Sequence, residues 1–220
     1  MQDTPAQMSE LYSAYAAGRL SAPYALLVET QMAIRPDVRA DVACAESLSG
    51  IFLEQDEGEP LAPNAYERTL QAIDRLGEDE DNRRQAAQMA SEQLTELMDL
   101  PEPLREKALE ACVGKGWKRM TSGVSRLDIA TPGGHAHLYR IKPGASVPRH
   151  THEGDELTLV VRGGFSDETG SFGPGDIALQ TSNDTHQPLA DTHGVCLALA
   201  VSDGGMKFKG MLGLVQKLFG

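Results

Sequence analysis

One spacing constrains this chain more than any other: Gly144-x5-His150-x-His152-x3-Glu156-x6-Gly163, followed by Gly173-Pro174-Gly175-Asp176 and then His186. In a strand, side chains two apart project from the same face, so His150 and His152 point the same way. Glu153-Gly154-Asp155 reads as a turn that delivers Glu156 beside them at the start of the next strand. His186 is expected from a later strand crossing the same interior. Three imidazoles and one carboxylate make an N3O site for a divalent transition metal. Burying that set in a small barrel without an ion would carry a large desolvation cost. The pattern asks for strands closed around an interior.

The surrounding sequence agrees. Residues 124–129 and 135–141 alternate apolar and polar, and Leu157 to Arg162 is nearly continuous apolar. Pro-Gly, Gly-Gly and Gly-Pro-Gly clusters punctuate these runs at 143–144, 163–164 and 173–175. Many short strands at regular spacing predict a closed barrel or jelly roll. His135 and His137 share the two-residue spacing, but no acid or later histidine completes them, so they read as ordinary strand residues. His193 reads as a turn residue. Met211, Val215 and Leu218 predict a short helical cap on the barrel. The histidine spacing is that of the cupin superfamily, whose first motif fits at all five fixed positions. The second motif departs, with Thr181 and Asn183 where Pro-x-Gly is common; asparagine tolerates the left-handed backbone a glycine would supply.

The first half has a different character. Residues 1–110 hold 22 acids, 9 bases and 4 of the 22 glycines. The second half holds 10 acids, 11 bases, 18 glycines and all six histidines. Tyr12, Tyr15 and Leu20 begin a helical spacing interrupted at Gly18, and Tyr24, Leu27, Val28 and Met32 continue it after Pro23. Pro36 suits the first turn of a helix through Val38, Val42, Ala45 and Leu48. A loop at Glu57-Gly58-Glu59-Pro60 precedes a last stripe of Tyr66, Leu70, Ile73 and Leu76. These stripes predict core faces of a small helical bundle, marginal alone but foldable. Gly77 to Arg84 is a charged linker candidate, and 85–111 is helix-prone but broken at 100–103.

The expected fold class is therefore α+β in two domains: a helical bundle over 1–77, a linker with helical segments over 78–110, and a cupin β-barrel, or jelly roll, over 111–220. A net charge of −12 argues against a nucleic-acid partner, because phosphate neutralisation needs a basic face. Cys44, Cys112 and Cys196 form no Cys-x-x-Cys pair, which points to a reducing compartment. With no signal-like N-terminus and no run of roughly 20 apolar residues, the expectation is a cytoplasmic protein without membrane contact. Cys196, on an apolar strand, reads as a buried structural thiol. Gly114-Lys115-Gly116 lacks the phosphate-loop pattern, and Trp117 reads as core.

Residues 156–161 and 164–176, together with 199–203 and 208–212, resemble the ChrR family of anti-sigma factors, as do Ala14-Tyr15-Ala16-Ala17-Gly18 and residues 25–28. That resemblance implies a helical domain that grips an extracytoplasmic-function sigma factor, and a cupin-like domain that binds zinc and responds to singlet oxygen or related oxidative stress. It carries zinc ligation to His150, His152, Glu156 and His186, and assigns no catalytic residue. The family also binds zinc in its helical domain, but the matching positions here are Ala6, Gln31, Arg35 and Val38. No N-terminal zinc is expected, so the bundle must stand on packing or its sigma grip has changed. The acidity of the first half suits a basic partner surface, and equally a solvated one. Two other readings stay open: a metal-dependent cupin enzyme of dioxygenase or isomerase type, and a stand-alone metal-binding cupin without a sigma partner. The ligands also accept iron, manganese or nickel, and the resemblance alone favours zinc.

Overall fold

The computed structural model describes residues 5–55, 57–73, 92–202 and 206–208. Helices α1 (Pro5–Ala16), α2 (Ala22–Ile34) and α3 (Pro36–Leu53) come first, then a helical stretch over 65–73, here α4. Proline stands in the first turn of both α2 (Pro23) and α3 (Pro36), where its missing N–H costs nothing. Helices α5 (Glu92–Met98) and α6 (Leu104–Gly114) follow, separated by the break at 100–103. The linker candidate at 77–84 and the C-terminal cap at Met211, Val215 and Leu218 lie outside the described residues.

The strands are β1 (Lys118–Arg119), β2 (Val124–Ile129), β3 (His135–Ile141), β4 (His150–His152), β5 (Glu156–Arg162), β6 (Phe165–Ser166), β7 (Ser171–Phe172), β8 (Ile177–Gln180), β9 (Leu189–Ala190), β10 (Cys196–Ser202) and β11 (Met206–Phe208). A six-stranded antiparallel sheet runs β1-β2-β3-β10-β5-β8. Two small sheets, β4-β11 and β7-β6-β9, complete the jelly roll.

Alternation along these strands sorts residues onto two faces. On one face Leu127, Leu138, Leu157, Leu159, Leu197 and Leu199 join Leu26, Leu27 and Val28 of α2 and Leu104 and Ala108 of α6 in one apolar core. On the other, Val124, Tyr139, Val160, Cys196, Ala198 and Ala200 pack with Phe165 and Phe172 inside the barrel. The helical half is therefore not closed on itself: its core continues into the outer face of the sheet. Arg140, also outward, donates to both carboxylate oxygens of Glu96 on α5, at 2.5 and 2.8 Å.

A polar link accompanies this apolar one. Gln31, 4% exposed, accepts a hydrogen bond from Tyr12 Oη and donates to the Gly175 carbonyl, both at 3.0 Å. Gly175 has φ +86°, and a Cβ there would stand 2.5 Å from Arg35 Cγ, so only glycine lets α2 come this close. Arg35 Nη1 also reaches Asp176 at 3.4 Å.

Two expected core stripes are corrected. Val38 and Val42 are buried, but Leu48 is 59% exposed, and Tyr66, Leu70 and Ile73 are exposed as well; Leu76 lies outside the described residues. The physical reason is that α2, rather than α4, covers the sheet. Helical periodicity reports an apolar face without saying what covers it.

Candidate metal centre

His150 and His152 lie on β4, and their rings meet that of His186, 34 residues beyond His152. Backbone bonds tie His150 and His186 directly: each amide donates to the other's carbonyl at 3.1 Å. The pairing fixes the two side chains side by side, so the turn between Gln180 and His186 determines half of the centre. That turn does not use a left-handed Asn183, since Asn64 is the one non-glycine with positive φ among the described residues. Instead the Asp184 carboxylate accepts from both the amide and the hydroxyl of Thr181, at 2.8 Å each. At the other end of the first motif, Gly163 has φ +70°, and a Cβ there would lie 2.5 Å from the Val195 carbonyl oxygen.

The three histidines are all buried. His186 Nε2 lies 3.0 Å from His152 Nε2 and 3.1 Å from His150 Nε2. His150 Nδ1 is 2.8 Å from the Pro148 carbonyl, and His186 Nδ1 is 2.8 Å from Asp167 Oδ2. Both partners only accept, so each Nδ1 carries the proton and each Nε2 presents a lone pair. Two bare nitrogens facing one another at 3.1 Å repel unless a cation stands between them. The spacing also matches nitrogens sharing one ion at roughly 2.0–2.1 Å. The donor set therefore fits a metal ion. Burial and the neighbouring His186 push His150 down to about 4, leaving a neutral imidazole ready to donate its lone pair at neutral pH.

Glu156 stands apart from this trio. Its Oε2 lies 3.5 Å from His152 Nδ1, and the group of mutually close ligand atoms among the described residues comprises His150, His152 and His186 alone. Burial alone would raise its carboxyl; hydrogen bonding to His152 and the nearby histidines outweigh that and lower it.

Sequence reading missed Asp167. It lies in the turn after β6, its side chain fully buried, with Thr169 and Gln180 donating to it beside His186. Burial opposes ionisation, but the hydrogen bonds from His186 and Thr169 prevail and hold it down at about 2. It stays an anion and fixes the His186 tautomer. An Asp two residues before Thr is an Asx-turn signal; nothing local says that it also reaches His186.

His135 is exposed and His137 pairs with Asp128 at 3.0 Å, both outside the trio. His193 sits exposed in a bend. Cys196 is fully buried, and burial pushes its thiol up to about 12. Trp117 is half-buried against the outer core. Among the described residues no helix is long and apolar enough to cross a membrane.

Comparisons with known proteins bear on both halves. A family model described as the ChrR Cupin-like domain matches residues 107–203. The anti-sigma-E factor ChrR of Cereibacter sphaeroides is 31% identical over 211 residues, covering 95% of this chain and 94% of that protein. The crystal structure of Rhodobacter sphaeroides SigE in complex with the anti-sigma ChrR matches at a TM-score of 0.67 and 28% identity, over 92% of this chain and 99% of that one. KdgF from Halomonas sp. matches at a TM-score of 0.36 and 26% identity, over 40% of this chain and 84% of that one. With likeness running through the helical layer as well as the histidine-lined barrel, this chain belongs to the ChrR family of anti-sigma factors.

Proposed function

We propose that this protein is an anti-sigma factor that sequesters an extracytoplasmic-function sigma factor in the cytoplasm and carries one divalent metal, zinc, in its barrel. In this reading residues 1–77 grip the sigma factor, 78–110 connect, and 111–220 hold the metal. The observation that carries it is where apolar surface is left open. Of the ten large apolar side chains exposed among the described residues, eight fall between Leu48 and Ile73. Ile51, Phe52 and Leu53 end α3, and Tyr66, Leu70 and Ile73 follow on α4. Exposed apolar side chains concentrated in one stretch of chain are what an interaction face needs. Acidic residues around it favour a basic partner.

Gln31, Arg35 and Val38, at positions where family members hold a second zinc, instead make the barrel link and a core contact. The helical half thus rests on packing against the sheet. In the barrel, His150, His152 and His186 supply three nitrogens, and Glu156 the fourth ligand once its carboxylate turns from His152. Asp167 orients His186. The bound ion would bring charge neutralisation and an oxidation-sensitive coordination sphere, through which singlet oxygen or peroxide stress releases the partner. No side chain is assigned a catalytic role.

The test is affinity capture of the tagged full chain from unstressed host cells at low salt. A sigma factor at one-to-one stoichiometry is expected, lost with Phe52→Asp while metal content is unchanged. A folded, metal-loaded bait without a sigma factor would contradict the proposal and leave a stand-alone cupin.

A further inference from the structure

The barrel holds a second polar region that the metal trio does not use. Between α6 and one end of the inner face lies a cavity of about 760 Å³, walled by Arg126, Asp128, His137, Tyr139 and Glu156 from the strands and by Lys107 and Lys115 at α6. Tyr139 and Glu156 also line the small recess that contains His150 and His186. The cavity therefore ends against the metal centre.

Its walls carry an unmet demand for hydrogen bonds. Five buried side-chain polar atoms lack a hydrogen-bond partner among the described residues, and three of them, Arg126 Nε, Asp128 Oδ1 and His137 Nδ1, belong to this cavity. Arg126 Nε and His137 Nδ1 stand 2.8 and 3.0 Å from Asp128 Oδ1. At those distances the Arg126 guanidinium is drawn to the carboxylate and the His137 imidazole lies against it, but neither contact has the alignment of a hydrogen bond. A buried group left in this state is costly, and a cluster of them in one space points to a missing occupant.

Charge and size narrow what that occupant is. Asp128 is already held by Lys118 at 2.6 Å, and Glu156 leans on His152. No side-chain hydrogen bond or ion pair engages the ammonium of Lys107 or Lys115 among the described residues, and Glu110 is the one carboxylate that α6 adds beside them on the cavity wall, so two cations face one anion at the rim. The volume falls in the range of small-molecule sites and exceeds what an inorganic ion fills, while Ile129 and Ala130 add apolar wall. We infer that the cavity binds a small organic carboxylate, its anionic head on Arg126 and His137 and its approach drawn by Lys107 and Lys115. A guanidinium fork suits that head group. Seated there, the ligand bridges α6 and β3 beside Glu156, a chemical input separate from the metal. The inference stands without the sigma-factor reading.

The metal-loaded full chain is titrated calorimetrically with succinate, 2-oxoglutarate, benzoate and octanoate at low salt. At least one binds one-to-one and is weakened by added salt. Arg126→Gln lowers that affinity by about tenfold or more, and Arg126→Lys restores part of it. Lys115→Gln, at the exposed rim, weakens binding by about threefold without touching the core, which covers the case of an Arg126 variant that fails to fold. The inference is overturned if none of the four binds at millimolar concentration, or if binding is equal in the wild type and both glutamine variants.

Discussion

The two faces of the six-stranded sheet share the same strands and do opposite work. Along β5, Leu157, Leu159 and Val161 face the helices while Glu156, Thr158 and Val160 face the barrel. Along β10, Leu197, Leu199 and Val201 face out while Cys196, Ala198 and Ala200 face in. The outward set is large and aliphatic because it must hold a helical layer. The inward set is small or polar because it must leave room for three imidazoles. Every residue of β10 is buried, so this central strand belongs to both cores at once. A regulator built this way does not need a separate joint between metal domain and partner-binding helices: the sheet is the joint.

Removing inward ligands breaks the comparison hardest. His150→Ala and Glu156→Ala each lower bound metal to well below one ion per chain by elemental analysis. Near-full occupancy in both would remove the metal site from the account. On the outward face, Leu199→Ala or Leu27→Ala costs about 2–5 kcal/mol. Because that core is shared, Trp117 fluorescence and helical circular dichroism should still melt together, at a lower temperature. Separate transitions would show the helices to be independent of the sheet.

Smaller changes sharpen the same contrast. Asp167→Asn weakens metal binding by about 10–100-fold while leaving sigma capture at low salt intact; metal competition measures it. Gln31→Ala leaves the buried Gly175 carbonyl without its donor and destabilises by about 1–3 kcal/mol, read from denaturant midpoints. The smallest effect is pH-dependent. Burial and Arg126 lower the His137 pKa, so below the ordinary histidine value the unfolded chain takes a proton that the folded chain refuses. Stability therefore falls as pH drops from about 7 towards 5, and His137→Gln flattens that slope.

What the sequence revealed follows the range of the interactions. Strand alternation, glycine turns and the His-x-His spacing are local, and they mark β2, β3, β5 and the pair His150 and His152; His186, 34 residues further on, is marked only by the longer spacing of the superfamily motif. Asp167 and Gln31 escaped because their roles depend on partners 19 and 144 residues away. Tyr66, Leu70 and Ile73 misled for a different reason. Their spacing is that of a buried stripe, but burial depends on which helix reaches the sheet first, and α2 does. In this protein the misread stripe is the surface proposed to meet the partner.

Native mass spectrometry of the complex with its sigma factor tests the account most directly. The expected complex holds one chain, one sigma factor and one metal ion, the ion disappearing in His150→Ala. A complex with two ions per chain, or a folded metal-loaded chain that forms no complex, would contradict it.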